Sequence, residues 1–174
     1  MTYIWPILHI PMKLIFTCFL VAIGFSTLAQ NAPDSLVSPL KSMPYEQYKA
    51  YSNGIDINNL ALIGDLYHYP SPAKVLALKK ELALNKEQFT QINAINIELL
   101  RKMKEMGALI IKNEQTLDML FRTKQVNDGS LIFYTNRYGL YQGELRNAML
   151  QTYLKVQNIL TPEQLKKYQQ LQHP

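Results

Sequence analysis

Residues that carry chemistry are scarce in this chain. Among 174 residues there is one cysteine, Cys18, one tryptophan and three histidines. Cys18 lies within the apolar run 14–25, so a chain cut after that run has no thiol. This excludes disulfides, thiolate metal sites and cysteine nucleophiles together. His68 and His173, the histidines beyond the run, are far apart. No Ser/His/Asp arrangement and no glycine-rich phosphate loop is present. Glu98, Glu105 and Glu114 lie along one segment without the Glu-x-x-His repeats of a di-iron bundle. The expectation is a protein that is not an enzyme and binds no cofactor.

Long hydrophobic runs are missing too. The run 14–25 is about a dozen residues, whereas a membrane-spanning helix needs roughly 20. It has the length of a signal-peptide core. Lys13 provides the positive flank, and Thr27 and Ala29 place small residues where a signal peptidase reads. Residues 1–29 are therefore expected to be a signal peptide cleaved after Ala29, with export to the periplasm. Residues 1–11 carry no Lys or Arg and are interrupted by Pro6 and Pro11. Met12-Lys13 makes a more natural start, which would leave 1–11 as a gene-start artefact. The competing reading is an uncleaved anchor, the one route by which this chain would touch a membrane.

A dense charge of one sign is the third absence. The net charge is +5, but basic residues adjoin only as the pairs Lys79-Lys80, Arg101-Lys102 and Lys166-Lys167. A nucleic-acid surface wants a tighter patch with aromatics among the cations. No nucleic-acid partner is expected.

Helical periodicity is what the chain does have. Residues 30–44 are rich in Pro, Ser and Asn and read as a flexible leader. Residues 45–70 read as a partly helical segment, with Asp56 capping a helix from 57 to about 67. Ser71 caps the next short helix, with Pro72 at its first position. No proline occurs between Lys86 and Gln125. Ile92, Leu99, Met103, Met106, Ile110, Leu117 and Leu120 mark the seam of one long helix. Residues 126–129 form a turn signal. A second seam follows in Leu131, Tyr134, Tyr138, Tyr141, Leu145, Ala148, Thr152, Val156 and Ile159. A short connection between two long helices makes them antiparallel neighbours. The expected fold is all-α: a long antiparallel hairpin with short flanking helices, the last from Pro162 to about Gln172.

Two junctions repeat one pattern. Leu84, Asn85, Gln88 and Phe89 open the first long helix, and Leu160, Thr161, Pro162, Gln164 and Leu165 open the last. Asn85 and Thr161 are N-cap residues whose side chains accept from exposed backbone N–H groups. Gln88 and Gln164, three residues on, reach back to close capping boxes. Leu84 with Phe89, and Leu160 with Leu165, have hydrophobic-staple spacing. These are structural devices, about 1 kcal/mol for each cap.

Two Leu-Thr-x-x-Gln-like boxes flanking a helical hairpin behind a signal peptide resemble the Spy/CpxP family of periplasmic stress proteins. The segment 69–76 and the stretch Glu114 to Phe121 resemble its heavy-metal sensor and resistance branch, of the CnrX and ZraP type. The resemblance covers about residues 69–172. The second box matches fully, while the first has Asn85 where Thr is usual. The resemblance implies a periplasmic homodimer of hairpins that binds unfolded clients or restrains an envelope-stress sensor. In the metal-binding branch it implies a heavy-metal sensor or resistance protein instead. A structural envelope component is a third reading.

For metal, the residues themselves offer little. Asp65 and His68 are three apart and supply at most two ligands. Lys74 stands where the sensor-like relatives often have His. No metal site is expected. Tyr134, Tyr138 and Tyr141 are expected to pack on the first long helix rather than to meet clients. Asn96 and Asn113 fall on the seam and suit a register-fixing role. Gly107, Gly139 and Gly143 each cost roughly 1 kcal/mol inside a helix, so close helix approach, within the hairpin or across a dimer, is expected at them. Ile95, Ile97, Leu100, Leu109 and Ile111 exceed what one seam can bury, which argues for a homodimer.

Overall fold

The computed structural model describes residues 37–172. Residues 1–36, on which the expected signal segment with Cys18 and the first part of the expected leader fall, and His173 lie outside the described residues. Six helices are present in the described part: α1 (Tyr45–Asn53), α2 (Leu62–Leu66), α3 (Pro72–Ala77), α4 (Lys86–Arg122), α5 (Asp128–Ile159) and α6 (Pro162–Gln172). No described residue is in a strand.

Helices α4 and α5 form the hairpin and pack along each other. The 37 residues of α4 extend over about 55 Å at 1.5 Å per residue. At this length the helix depends on tertiary burial of its seam more than on propensity. Ile92, Met103, Met106 and Ile110 on α4 are buried, as are Tyr141, Leu145, Thr152 and Val156 on α5. The seam loosens beyond Asn113. Leu131 is exposed, as are Met119, Phe121, Ile132 and Phe133 at the hairpin tip. The cause is cover: α1 packs on α4, and α3 packs on both long helices, so the short elements line only the lower part.

Two apolar clusters result. One joins Leu40, Met43, Tyr51 and Ala61 to Met103, Met106, Ile110, Leu145, Met149 and Tyr153. The other, at the hairpin base, joins Val75 and Leu82 to Ile92, Val156, Leu160 and Tyr168. The first cluster corrects the reading of residues up to 44 as flexible leader, because Leu40 and Met43 are buried. A two-residue apolar anchor in a Pro/Ser-rich stretch has no periodicity to reveal it.

The helix expected from 57 to 67 shrinks to Leu62–Leu66. Asn59 takes a left-handed φ of 52°, which ends any helix there and suits Asn better than most residues. Asp56 accepts from the N–H groups of Leu60 and Ala61 at 2.9 and 3.1 Å. It orders the loop rather than capping a helix at 57. Ser71 does cap α3, accepting from the Lys74 N–H.

Asn113 is buried and donates from Nδ2 to the Tyr134 carbonyl across the hairpin, at 3.0 Å. Its Oδ1 is the one buried side-chain N or O without a partner among the described residues.

Candidate functional site

The two capping boxes meet in space. Gln88 N–H donates to Asn85 Oδ1 at 2.8 Å, and Asn85 N–H to Gln88 Oε1 at 3.1 Å. Gln164 N–H donates to Thr161 Oγ1 at 3.2 Å, and Thr161 N–H to Gln164 Oε1 at 2.9 Å. Each glutamine then uses its NH2 group across the junction. Gln88 Nε2 donates to Gln164 Oε1 and to the Ile159 carbonyl, at 2.8 and 3.0 Å. Gln164 Nε2 donates to Gln88 Oε1 and to the Leu82 carbonyl, at 3.0 and 3.1 Å.

The result is a reciprocal amide pair. Every polar atom of both side chains closes a helix start or the chain just before the other helix. Leu160 is buried, while Leu84 and Leu165 pack against the base cluster. Pro162 opens α6. Phe89 remains partly exposed, with the Lys79 ammonium 5.3 Å from its ring centroid. A third box, Asn127 with Ser130, starts α5. In the sequence that stretch carries only a turn signal, because a serine at the third helical position is a weaker box signal than Glu or Gln.

The three glycines separate. A Cβ on Gly107 would stand 2.1 Å from the Tyr51 carbonyl oxygen, so Gly107 seats α1 on α4. A Cβ on Gly139 or Gly143 would meet nothing within 4 Å. Within one chain these two have no neighbour to accommodate. Gly64, not singled out from the sequence, is tight: its Cβ would lie 2.3 Å from the Tyr153 ring.

Asp65 is engaged on two sides. Lys74 Nζ lies 2.6 Å from Asp65 Oδ1, and the Tyr153 hydroxyl donates to the same oxygen at 3.3 Å. His68 sits at a left-handed φ of 56° just after α2. No group of three or more His, Cys, Asp or Glu side chains suited to a metal occurs among the described residues.

The tyrosines behave as packing groups with wet ends. Tyr138 packs against the upper cluster, and its hydroxyl meets those of Tyr51 and the Gln142 amide. Burial, helped by the Tyr51 hydroxyl, pushes the Tyr138 hydroxyl up to about 12 from 10.0. Burial and the Asp65 carboxylate push Tyr153 up as well. For a raised pKa, the native state resists losing the proton while the unfolded chain does not. The corresponding stability is fully present below pH 10 and is lost as pH rises through the folded value. The protein should therefore lose stability steeply between pH 10 and 12. Unfolding followed by tyrosinate absorbance should show ionisation coinciding with loss of helix, and independent early ionisation would contradict it.

The remaining feature is apolar surface. Between residues 55 and 69, Ile55, Leu62, Ile63, Leu66 and Tyr67 are exposed, the last two at 62% and 70%. Ile63, Tyr67 and Tyr69 form one wall of a groove of about 410 Å³. Leu150, Tyr153 and Leu154 on α5 form the other. The walls come from segments far apart in sequence, and the periodicity of either alone does not show the groove. No family model, curated protein or solved structure matches the chain.

Proposed function

We propose that this chain is an exported, non-enzymatic binding protein of the Spy/CpxP type, acting in the periplasm on apolar stretches of other polypeptides in a chaperone-like way. The observation that carries the reading is the groove between residues 63–69 and α5. Soluble surfaces rarely leave so many large apolar side chains together unless they meet a partner. Tyr67 and Tyr69 suit such a site, because each ring offers apolar area while its hydroxyl stays hydrated. Exposed methyl-rich side chains on a short helix adapt to varied sequences, since they impose no hydrogen-bond pattern on the client.

The groove also accounts for a chain with so little reactive chemistry. Holding an apolar segment needs area alone, at roughly 25 cal/mol per Å² removed from water. The Lys74–Asp65 ion pair adds a charged contact close to the groove, with Nζ 2.6 Å from Oδ1. The test is suppression of aggregation of a denatured model protein diluted from urea. The triple variant Leu66→Ser, Tyr67→Ser, Leu154→Ser should retain the native unfolding midpoint, because all three side chains are exposed. It should lose suppression by about tenfold, the effect of roughly 1.4 kcal/mol. Equal suppression by the variant, or none by the native chain, would reject the reading.

A further inference from the structure

The geometry points to a lipid bilayer as the partner of the segment between α1 and α3, which docks on an anionic membrane surface through its outward side chains. No Lys or Arg occurs between Lys49 and Lys74, and the acids in that stretch are Asp56 and Asp65. Both carboxylates are engaged within the chain. Asp56 accepts from the N–H groups of Leu60 and Ala61. Asp65 accepts from the Lys74 ammonium and the Tyr153 hydroxyl. What the stretch offers outward is aliphatic: Ile55, Ile57, Leu62 and Leu66 are all exposed.

The segment is packed inside out. It crosses the hairpin from α4 to α5. Gly54 lies against Leu100, Met103 and Lys104 on α4. Asn58 donates to the Tyr51 hydroxyl and to Gln142 on α5. Gly64 lies against the Tyr153 ring. The three crossing points are thus glycine or asparagine, with Ala61 buried between them and Leu60 partly buried on the upper cluster. The other large aliphatic side chains fall between the crossing points and face away from the hairpin. A water-facing loop places its small and polar residues the other way round, because exposed aliphatic area is costly in water.

A bilayer fits this face better than a protein partner. Protein interfaces are anchored by Trp and Arg and carry about one hydrogen bond per 100–200 Å². The exposed anchors here are Ile and Leu, which direct no hydrogen bond. An interfacial lipid contact needs apolar area without outward charge, with cations and tyrosines at its border. Lys49 and Lys74 bound the stretch in sequence, Lys104 stands beside Gly54, and Tyr67 and Tyr69 lie at its α3 end. The net charge of +5 has the sign that an anionic leaflet attracts. No helix among the described residues is long and apolar enough to cross a membrane, so the chain lies on the surface. In the sequence, an uncleaved leader is the one membrane contact to be seen; the fold assembles a second.

Ile63, Tyr67 and Tyr69 belong to the same stretch and wall the groove. A docked chain therefore holds its groove beside the bilayer, where apolar segments of membrane-bound polypeptides emerge. That step rests on the polypeptide-binding reading, while the docking does not.

The test is the full chain carrying Cys18→Ser, mixed with vesicles of phosphatidylglycerol and phosphatidylcholine. An environment-sensitive fluorophore is attached at Leu62→Cys or, as control, at Gln151→Cys. Gln151 lies about 200° around α5 from the groove-facing Tyr153 and lines a cleft on the other side of the hairpin. Vesicles should shift the emission at position 62 to the blue, and lipid-borne quenchers should reach it. The label at 151 should stay in water. The contrast reads the docked face even where a retained leader also binds lipid. The triple variant Ile55→Ser, Ile57→Ser, Leu62→Ser should keep the native unfolding midpoint, because all three side chains are exposed. It should weaken vesicle binding by at least about tenfold, and more phosphatidylglycerol should tighten binding of the native chain. None of the three lines the groove, so suppression of aggregation in vesicle-free solution should be unchanged. A label at 62 that stays in water on vesicle-bound chain, or no vesicle binding, would overturn the inference. So would vesicle binding indifferent to the triple variant. Loss of aggregation suppression by that variant, with no vesicle binding by the native chain, would assign the face to polypeptide instead.

Discussion

Gly107→Ala should cost up to about 2 kcal/mol of unfolding free energy, although alanine is the better helix former. The new Cβ would lie 2.1 Å from the Tyr51 carbonyl oxygen and 2.8 Å from its carbon. Those are backbone atoms inside α1, so no rotamer change relieves the contact. Helix α1 must lift from α4, loosening Tyr51 and, with it, the packing of Leu40 and Met43. Overpacking of this sort costs typically 1–3 kcal/mol and occasionally more, against a propensity gain of about 1 kcal/mol. Gly139→Ala provides the control. Its Cβ meets nothing within 4 Å, so it should raise stability by up to about 1 kcal/mol. Denaturant midpoints of opposite sign for two Gly→Ala changes in the same hairpin are the expected result. An unchanged midpoint for Gly107→Ala would mean that α1 does not rest on α4 there.

The amide pair at the hairpin base should yield the other large effect. Gln88→Ala removes the acceptor of the Asn85 N–H, the donor to the Ile159 carbonyl and both bonds to Gln164. Gln88 is buried, at 9% exposure, so water replaces these partners poorly. Leaving buried groups unsatisfied costs about 1–3 kcal/mol each, and a loss of about 3 kcal/mol is expected. Gln164→Ala leaves the part-buried Leu82 carbonyl without its donor, and the Thr161 N–H, which is exposed, to water. The two glutamines share partners, so the double variant should be less damaging than the two single losses added, by at least about 1 kcal/mol. Asn127→Ala at the exposed third box should cost only about 1 kcal/mol. Additive losses at Gln88 and Gln164 would show two independent caps in place of one joined device.

The helices were readable because their causes are local. The seams of α4 and α5, the prolines that bound α3 and start α6, and the Asn85 and Thr161 boxes all act within a few residues. Repeats of three and four and cap chemistry at a spacing of three are visible in any linear string. The loop at 57–61 was less readable. Whether Asp56 caps a helix or closes a loop depends on whether Asn59 turns left-handed, and its side chain permits both. Leu40 and Met43 escaped notice because two apolar residues in a polar stretch have no period.

By itself, the sequence determined an all-helical chain, the two long helices and their short connection, and the helix starts at Asn85 and Thr161. Only the tertiary structure decided what those elements face. Gln88 and Gln164 close the same kind of box separately, yet the fold brings them within hydrogen-bond reach of each other. Three glycines look alike in sequence. Gly107 lies under the backbone of Tyr51, while Gly139 and Gly143 face open space. The physical reason is the same in both cases: helical periodicity states which residues share a face, whereas the need for space, or for a partner, belongs to neighbours distant along the chain.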